Sequence, residues 1–432
     1  MTIFETIRGM RDFLPADLAR RRFVEAKVRE CFKLYGYDEV ETPILESFEL
    51  IAAKAGDEIR HRMYMFDDLR GRKIAMRPEM TASIARLVAS KFRSEAKPLR
   101  LGYIANCFRY DNPQMGRFRE FWQAGFELFG SERTEADAEA IILFHDLMRR
   151  LGFHDFTLKL GSVGILRGVL AGEGVNEANQ NILMGFLDKQ KMEQATLFLD
   201  ELQVSEYCKG TLHQLIALKG TDWAHVLAEG RHLVEDYEKA LSALTKLAEI
   251  VHLAQAGGVT STILVDLGFA RGLEYYTGLV FEVFTPGLGI ALGGGGRYDR
   301  LVELFGGEPT PAVGFSPGID RIVLAMQQAH LFAGSEVVPS RVLIIPVGEQ
   351  SKEKVLTIAA DLRTHDISTQ IEISGRSITP ALAFADKKGY PFILILGARE
   401  LEKGSIIIRD MQKKTQKEVS ISSLINELQQ TL

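Results

Sequence analysis

The segment Leu99–Gly130, "LRLGYIANCFRYDNPQMGRFREFWQAGFELFG", carries most of the information about the fold. Its two arms have the aromatic-rich composition that is typical of β-strands. The stretch between them, "NPQMGR" at 112–117, contains the Asn, Pro and Gly residues that favour a turn. The sequence therefore predicts a long β-hairpin with its tip at residues 112–117.

The second arm of this hairpin has two different faces. Successive side chains of a strand point to opposite sides of a sheet. One side would carry the apolar residues Trp122, Ala124, Phe126 and Leu128. The other side would carry Arg119, Phe121, Gln123, Gly125 and Glu127. We expect the first face to join the core, and the second face to bind a ligand.

The segments that precede the hairpin alternate between helix and strand. Residues 17–35 have apolar side chains at helical spacing, which predicts an amphipathic helix that ends at Gly36. The stretch "YDEVETPIL" predicts a strand that ends at Pro43. Residues 73–92 predict a short strand that changes at Pro78 into a helix, with Glu79 near its first turn. Polar groups at such a junction often bind ligands.

The segments that follow the hairpin predict a helical region, a second part of the sheet and a separate unit. Residues 165–256 show helical periodicity without strand alternation. Strands are then predicted at "TILVDLG" and "LVFEVF", and "PAVGFSPGIDRIVLAMQQA" predicts a strand that leads into a helix. From about residue 340, the runs "RVLIIPV", "STQIEIS", "FILILG" and "GSIIIRD" alternate with helical stretches. This alternation predicts a compact α/β unit.

Composition places the chain among globular proteins with several domains. The 432 residues are 46% apolar and 25% charged, with a formal net charge of −5. The three cysteines show no C-x-x-C spacing, which argues against a disulfide framework and a cysteine zinc site. The N-terminus lacks a signal-peptide core, and no run of ~18 apolar residues occurs. We expect a cytoplasmic protein without a membrane segment.

Three arginines in distant segments are candidate anion ligands, although each also has a structural alternative. Arg109 could pair with Asp111 or Glu127. Arg271 lies in "GFARGLEYYTG", between two predicted strands, where a guanidinium needs a partner. Arg321 lies at the start of a predicted helix, where a cation is unfavourable unless an anion is also bound. The alternative is that Arg321 is an ordinary surface residue. A triphosphate would provide anionic partners for all three guanidinium groups.

Two further features leave alternatives open. The run "GGGGRYD" matches neither common phosphate-binding glycine motif, so it indicates either close backbone packing or direct ligand contact. Tyr275 and Tyr276 are adjacent. If they belong to a strand, one is expected in the core and the other in a pocket.

These segments together resemble class II aminoacyl-tRNA synthetases. The helix, strand and Pro43 are similar to motif 1, "FRYDNPQMGRFREFWQAGFE" to motif 2, and "AVGFSPGIDRIVLAM" to motif 3. "RGMRDFLP", "RPEMTA", "RGLEYYTG" and "GGGRYDRLVELFGG" resemble the histidyl-tRNA synthetase family. The resemblance implies an α+β fold: an antiparallel-sheet catalytic domain with a helical insertion, plus a C-terminal α/β anticodon-binding domain. The implied boundaries are 1–164 and 257–330 for the catalytic domain, 165–256 for the insertion and 340–432 for the last domain.

The resemblance also implies residues for ATP. Arg109 would contact the α-phosphate and the amino-acid carboxylate, and Arg271 would lie across the same phosphate. Arg321 would contact the distal phosphate, and Phe121 would stack on adenine. Arg119 belongs to the same implied set. ATP would be bound with Mg2+, and no zinc is expected.

The remaining implied residues concern the amino acid and the tRNA. Arg109 and Arg271 would bind histidine, and Tyr275 would line the same pocket. The amino group would be bound by Glu79, Met80, Thr81 and Gln123. Glu127 and Tyr276 would bind the two imidazole nitrogens. The hairpin tip, with Gln114 and Arg117, would meet the acceptor end of tRNA(His). The family further implies a homodimer.

Some positions depart from the common pattern of that family, and rival functions remain. Trp122 stands where histidine is frequent, Asn112 where arginine is frequent, and Arg300 where glycine is usual. One rival is the regulatory subunit of ATP phosphoribosyltransferase, which typically lacks the C-terminal domain and the arginine of "RGL". Another is a class II synthetase for proline, threonine or glycine, against which "RGLEYYTG" argues.

Overall fold

The computed structural model describes residues 4–53, 60–270, 275–332 and 342–430. The chain forms two compact units, Met1–Ser335 and Glu336–Leu432. The division falls between residues 330 and 340, where the sequence places the start of the last domain. The boundaries of the helical insertion stay a prediction.

The first unit is built on a large sheet and a small one. Its strands are β1 Asp38–Glu39, β2 Leu45–Ser47, β3 Met65–Asp67, β4 Lys73–Met76, β5 Leu99–Phe108, β6 Glu120–Phe129, β7 Thr157–Ser162, β8 Lys219–Gly220, β9 Thr262–Asp266, β10 Leu279–Phe284, β11 Gly293–Arg297 and β12 Ala312–Pro317. Nine of them form one sheet in the order β1-β5-β6-β12-β11-β10-β7-β9-β8, and β2-β4-β3 form the other. The pairs β1–β5 and β7–β9 are parallel, whereas the other pairs are antiparallel.

Helices cover the large sheet and form most of the segment between β7 and β9. They are α1 Pro15–Tyr35, α2 Phe48–Ala52, α3 Thr81–Lys91, α4 Thr134–Arg150, α5 Val163–Gly172, α6 Glu177–Asp188, α7 Met192–Glu201, α8 Glu206–Ala217, α9 Trp223–Leu233, α10 Glu238–Ala256, α11 Leu301–Leu304 and α12 Ile319–Gln328. The predicted first helix is confirmed as α1, and it ends at Gly36, whose φ of 70° is easily adopted by glycine. The predicted helical region is confirmed as α5 to α10, with the short β8 inside it.

The predicted hairpin is confirmed as β5 and β6. The two strands pair over their full length, from Leu99 opposite Phe129 to Phe108 opposite Glu120. The apolar face of β6 lies in the core, where the Phe126 ring is 4.8 Å from both the Phe32 and the Phe315 rings. The tip closes through reciprocal backbone hydrogen bonds between Gln114 and Arg117.

One prediction for the sheet needs correction, and a second feature becomes clearer. The stretch "YDEVETPIL" yields only β1 and the first residue of β2, because Pro43 and its neighbours form a connection. The glycine run is itself a strand, β11, packed between β10 and β12. A Cβ at Gly295 would lie 2.0 Å from the Gly314 carbonyl oxygen, so the close approach of these strands requires glycine. Close backbone packing is therefore present at Gly295, and direct ligand contact by the run stays a prediction.

The second unit has five strands with helices around them. They are β13 Val342–Pro346, β14 Thr369–Ile371, β15 Phe392–Leu396, β16 Ser405–Asp410 and β17 Thr415–Ser420, with α13 Lys352–Thr364, α14 Ile378–Lys388, α15 Ala398–Lys403 and α16 Leu424–Gln429. The order is β14-β13-β15-β16-β17, with the first two pairs parallel. The α/β prediction is confirmed. It missed β17, whose sequence "TQKEVS" is an exposed polar edge strand without an apolar pattern.

Candidate functional site

An open cleft of about 310 Å³ lies on the large sheet. Strands β5, β6, β10, β11 and β12 form its floor, and the N-terminal ends of α3 and α12 reach its edge. Nine of the residues predicted for the site line it: Glu79, Thr81, Arg109, Arg117, Phe121, Gln123, Tyr275, Tyr276 and Arg321. Side chains that are up to 242 positions apart in the chain, from Glu79 to Arg321, therefore meet in one place.

Arg109 is oriented by a backbone carbonyl. Its Nε donates to the Pro78 oxygen at 2.7 Å, and its guanidinium lies 5.2 Å from the centre of the Phe121 ring. Asp111, one of its two predicted alternative partners, instead lies 3.2 Å from Arg62 and 3.5 Å from Arg117. Arg109 thus lies on the cleft beside a ring, as a ligand for a nucleotide would.

Arg321 lies in the first turn of α12 and lines the same cleft. Its Nη1 donates to the Ala291 carbonyl at 2.8 Å, and its Nε lies 3.4 Å from the Gly116 carbonyl at the hairpin tip. The helix start and this guanidinium both attract negative charge. The alternative that Arg321 is an ordinary surface residue does not fit this position.

The segment around Glu79 serves the helix as well as the cleft. The Glu79 carboxylate accepts hydrogen bonds from the backbone N–H groups of Thr81 at 2.6 Å and Ala82 at 2.9 Å, which would otherwise lack helical partners. Burial raises the pKa of Glu79, although these bonds act in the opposite direction. The Met80 side chain is fully buried in a core cluster with Ile84, and a contact between this residue and histidine stays a prediction.

Glu127 lies behind the surface of the cleft. The Tyr298 hydroxyl donates to its Oε2, and Thr81 and Tyr103 donate to its Oε1 at 3.0 and 3.3 Å. Burial raises the pKa of Glu127 to about 8, against the effect of these hydrogen bonds. The three hydroxyl residues line the cleft, whereas Glu127 itself does not.

The adjacent tyrosines do not separate into a core residue and a pocket residue. Tyr275 and Tyr276 lie before β10 in a turn, so strand alternation does not apply, and both line the cleft. Their ring centres are 4.8 Å apart. Burial raises the pKa of the Tyr275 phenol well above its ordinary value, so this hydroxyl stays protonated.

Tyr298 was missed by sequence reasoning. It follows the glycine strand directly in "GGGGRYD", lines the cleft and contacts Glu127. A tyrosine directly after a run of glycines could have indicated a residue of the site. Its partner, however, is 171 residues away in the sequence.

The other predicted residues lie away from the cleft or outside the described structure. Arg119 is buried, its Nε donates to the Asp111 carbonyl at 3.1 Å, and its guanidinium stacks on Tyr110. Gln114 is exposed at the hairpin tip. Arg271 lies outside the described residues.

The remaining polar groups near the site hold one another in place. The Gln123 oxygen accepts a hydrogen bond from the Cys107 thiol at 3.3 Å. Trp122 packs against Arg21, whose guanidinium is 4.1 Å from the ring centre, and its backbone N–H donates to Asp320 at 2.7 Å. Arg11, from the "RGMRDFLP" segment, also binds Asp320. Trp122, which stands where histidine is frequent in the family, therefore helps to join the N-terminal segment to the second arm of the hairpin.

The described part of the chain has neither a metal-binding cluster nor a helix that could span a membrane. No group of three or more His, Cys, Asp or Glu side chains there is arranged to hold a metal ion. No helix in those same ranges has the length and apolar character needed to cross a bilayer.

The antiparallel sheet, the arginines on its cleft and the separate α/β unit define a class II aminoacyl-tRNA synthetase. Comparisons with known proteins extend this conclusion. The sequence profile of histidyl-tRNA synthetase matches residues 9–322, and that of the anticodon binding domain matches residues 341–431. The chain belongs to the histidyl-tRNA synthetase family, whose members are ligases.

Individual relatives agree with this assignment. The histidine--tRNA ligase of Methanocaldococcus jannaschii is 41% identical over 99% of this chain and 100% of its own length. The apo histidyl-tRNA synthetase of S. aureus is 26% identical, with a TM-score of 0.76, and the match covers 98% of this chain and 99% of that one. A Bacillus halodurans structure described as an ATP phosphoribosyltransferase regulatory subunit/histidyl-tRNA synthetase is 29% identical, with a TM-score of 0.77, and covers 92% and 99%.

Proposed function

We propose that this protein activates L-histidine with ATP and transfers the histidyl group to tRNA(His). The observation that carries the proposal is the convergence of Arg109, Arg321, Gln123 and two tyrosines on one cleft of a family member. Guanidinium groups suit a triphosphate, while hydroxyl and amide groups suit a small polar amino acid.

The ATP end of the cleft is assigned to the side with Arg109, Phe121 and Arg321. Phe121 offers a ring face for adenine, and the Arg109 guanidinium lies over that same ring. Arg321 would bind the distal phosphates, because it stands at the start of α12. Arg271 would bind the α-phosphate from the opposite side, which is the role that the family resemblance implies.

The histidine end is assigned to the side with Glu79, Gln123, Tyr275 and Tyr276. Glu79 and Gln123 carry oxygens that suit an ammonium group. Tyr276 and the buried Glu127 would recognise the two imidazole nitrogens. A site built on hydrogen bonds to the substrate rejects analogues that lack those groups by large factors.

The first step needs no protein nucleophile. The histidine carboxylate attacks the α-phosphorus in line with the departing pyrophosphate, and Arg109 holds both reactants. Positioning and neutralisation of charge by the arginines lower the barrier. The terminal ribose hydroxyl of the tRNA then attacks the acyl carbon of the adenylate and releases AMP.

Mg2+ would enter with ATP, because this ion usually keeps several waters and is bound by phosphates and one or two carboxylates. The donor set fits this mode, since Glu282 on β10 and Asp188 at the end of α6 both line the cleft. The ion would supply further neutralisation of the phosphate charge.

The hairpin tip and the second unit are assigned to tRNA. Gln114 and Arg117 lie at the tip, and Arg117 also lines the cleft, so these residues would contact the acceptor end. The second unit would contact the anticodon, as its family profile indicates.

We also propose that the protein is a cytoplasmic homodimer. Apolar side chains on and beside the small sheet are exposed in the single chain. They are Ile44, Leu45, Met65, Phe66 and Leu69. Exposed groups of this kind mark interaction surfaces, and a second copy of the chain would cover them.

The rival function, a regulatory subunit of ATP phosphoribosyltransferase, is not favoured. The anticodon binding domain profile matches residues 341–431, and this chain covers the full length of relatives named histidine--tRNA ligase. A regulatory subunit would not need the arginines of the cleft.

The experiment is charging of a tRNA(His) transcript with labelled histidine and ATP. The wild-type protein should form histidyl-tRNA, and Arg321→Ala should raise the ATP KM strongly. Arg93→Ala, which removes an exposed arginine paired with Glu308, is the matched control and should behave as wild type. Absence of charging by the folded wild-type protein would refute the proposed function.

A further inference from the structure

Residues 9–13 of the N-terminal segment lie against the second arm of the hairpin. The Arg119 backbone N–H, just before β6, donates to the Gly9 carbonyl at 2.9 Å. Gly9 has a φ of 88°, and a Cβ there would lie 2.7 Å from the Arg119 side chain, so glycine permits this close approach. The Phe13 ring packs edge-on against Trp122, with ring centres 5.1 Å apart. The segment is therefore fixed beside the cleft.

Arg11 in this segment contacts two residues that line the cleft. Its Nη2 donates to Asp320 Oδ1 at 2.5 Å, and its guanidinium lies 3.3 Å from the centre of the Phe118 ring. Asp320 and Phe118 both line the cleft, whereas Arg11 is not among the lining residues. Arg11 therefore contacts the wall of the cleft from outside.

Asp320 depends on a cation for its charge. Its side chain is only 7% exposed, and its Oδ2 accepts a hydrogen bond from the Trp122 backbone N–H at 2.7 Å. A buried carboxylate is costly unless it is paired with a cation. Arg21 also interacts with Asp320 electrostatically, but it is itself paired with Glu25 at 3.2 Å. Arg11 is therefore the cation that compensates Asp320 directly.

The position of Asp320 gives this ion pair a consequence for ligand binding. Asp320 directly precedes Arg321 in the first turn of α12, and both residues line the cleft. A negative charge at a helix start is favourable for the helix, but it repels a bound triphosphate. Compensation by Arg11 removes most of that repulsion without placing a further cation in the cleft.

We propose that Arg11 is a positioning residue for the ATP site, which compensates the charge of Asp320 and so allows Arg321 to bind the triphosphate. Arg11 acts through Asp320 and does not touch ATP. The same carboxylate also binds the backbone of Trp122, so it holds the start of α12 against β6. This inference rests on the proposed function, because it assumes ATP as the ligand.

The first test is Arg11→Met, assayed by histidine-dependent ATP–pyrophosphate exchange. The apolar stem beside Phe118 is retained, whereas the cation is lost and Asp320 keeps its negative charge. We expect the ATP KM to rise on the order of tenfold, with little change in the histidine KM. Arg11→Lys keeps the positive charge and should retain most of the affinity for ATP.

A second substitution separates compensation of charge from a purely structural role. Asp320→Asn removes the negative charge, while the amide oxygen can still accept from the Trp122 N–H. The double variant that combines Arg11→Met with Asp320→Asn has no uncompensated carboxylate. Its ATP KM should therefore return to within about threefold of the wild-type value, because the two substitutions are coupled. If Arg11 only fastened the segment, or bound ATP itself, the second substitution would restore nothing.

The matched control is Arg20→Met. Arg20 lies on α1 and forms an exposed ion pair with Asp17 at 3.2 Å, and neither residue lines the cleft. This variant loses a cation from the same part of the chain, so it measures the general effect of that loss. Its KM values for ATP and histidine should equal those of the wild type.

Three results would overturn the inference. They are an unchanged ATP KM in Arg11→Met, an equal rise of the ATP and histidine KM values, and a raised ATP KM that Asp320→Asn does not restore. If Arg11→Met does not fold, the double variant decides between the same two outcomes for the ATP KM. A folded wild-type protein that fails to exchange with histidine would instead refute the proposed function, so the two failures can be distinguished.

Discussion

Glu127, which is proposed to bind histidine, is buried in a way that lowers the stability of the fold at high pH. The folded protein retains the proton on this carboxyl up to a pH of about 8, whereas an unfolded chain releases it near pH ~4.3. The raised pKa therefore contributes stability that is present at acidic pH and is lost as pH rises toward about 8. Above that value, the fold has to accommodate a buried charge.

Replacement of this residue by its neutral isostere should remove the pH dependence. We expect Glu127→Gln to equal the wild type in thermal stability at about pH 5, but to exceed it at about pH 9, while histidine binding is lost. Thermal melts at both pH values measure the difference. As a control, Glu135→Gln replaces an exposed acid whose pKa is lowered by its hydrogen bond to Arg133, so it should show no gain at alkaline pH. A wild-type protein that gains stability relative to Glu127→Gln on alkalinisation would contradict this account.

At the same scale, sequence reasoning proposed nine of the residues that line the cleft. Arg109, Gln123 and Tyr276 could be proposed because they match family motifs. Tyr298 was not proposed, although it directly follows the glycine run, because its hydrogen bond joins it to a residue that is remote in the sequence. Met80 and Arg119 are buried and do not line the cleft, so their contacts with substrate stay predictions. A motif indicates a neighbourhood but does not give the direction of each side chain.

At the scale of elements, periodicity predicted the long features well. The β5–β6 hairpin and α1 have strong patterns over 10 residues or more. Edge strands such as β17 lack an apolar face and so give no pattern. The glycine strand β11 also gives none, since its contribution is close backbone approach rather than side-chain burial.

Arg77 joins several elements through a buried guanidinium. Only 3% of its surface is exposed, and it donates to the Thr42 carbonyl at 2.7 Å, the Asn106 carbonyl at 2.9 Å and the Asn106 side-chain oxygen at 3.1 Å. These bonds connect the segment before β2 and the end of β4 with β5.

A lysine at this position cannot reproduce the planar fork. We expect Arg77→Lys to lower the free energy of unfolding by about 2 kcal/mol, because buried carbonyl groups would lose their donors. Chemical denaturation measures this change. Arg93→Lys, at an exposed ion pair, should change stability by less than about 0.5 kcal/mol. Equal effects of the two substitutions would show that Arg77 does not join these elements.

At the scale of the whole molecule, the two units have separate cores. The clusters centred on Phe126 and Met80 belong to the first unit, and those around Ile344 and Ile393 belong to the second. The cleft is built from the first unit alone.

Removal of the second unit should therefore separate the two reaction steps. A protein that ends at residue 332 should retain histidine-dependent pyrophosphate exchange and lose most of its charging of tRNA(His). Circular dichroism would establish that the shortened chain is folded. Full charging activity in the shortened protein would contradict the assignment of the second unit to tRNA.

The central claim is that the cleft of the first unit selects histidine and joins it to the α-phosphate of ATP. The most direct measurement is ATP–pyrophosphate exchange by the full-length protein with each of the twenty amino acids in turn. Our account predicts rapid exchange with histidine and only background exchange with the others. Exchange that depends on a different amino acid, or no exchange with any of them, would contradict it.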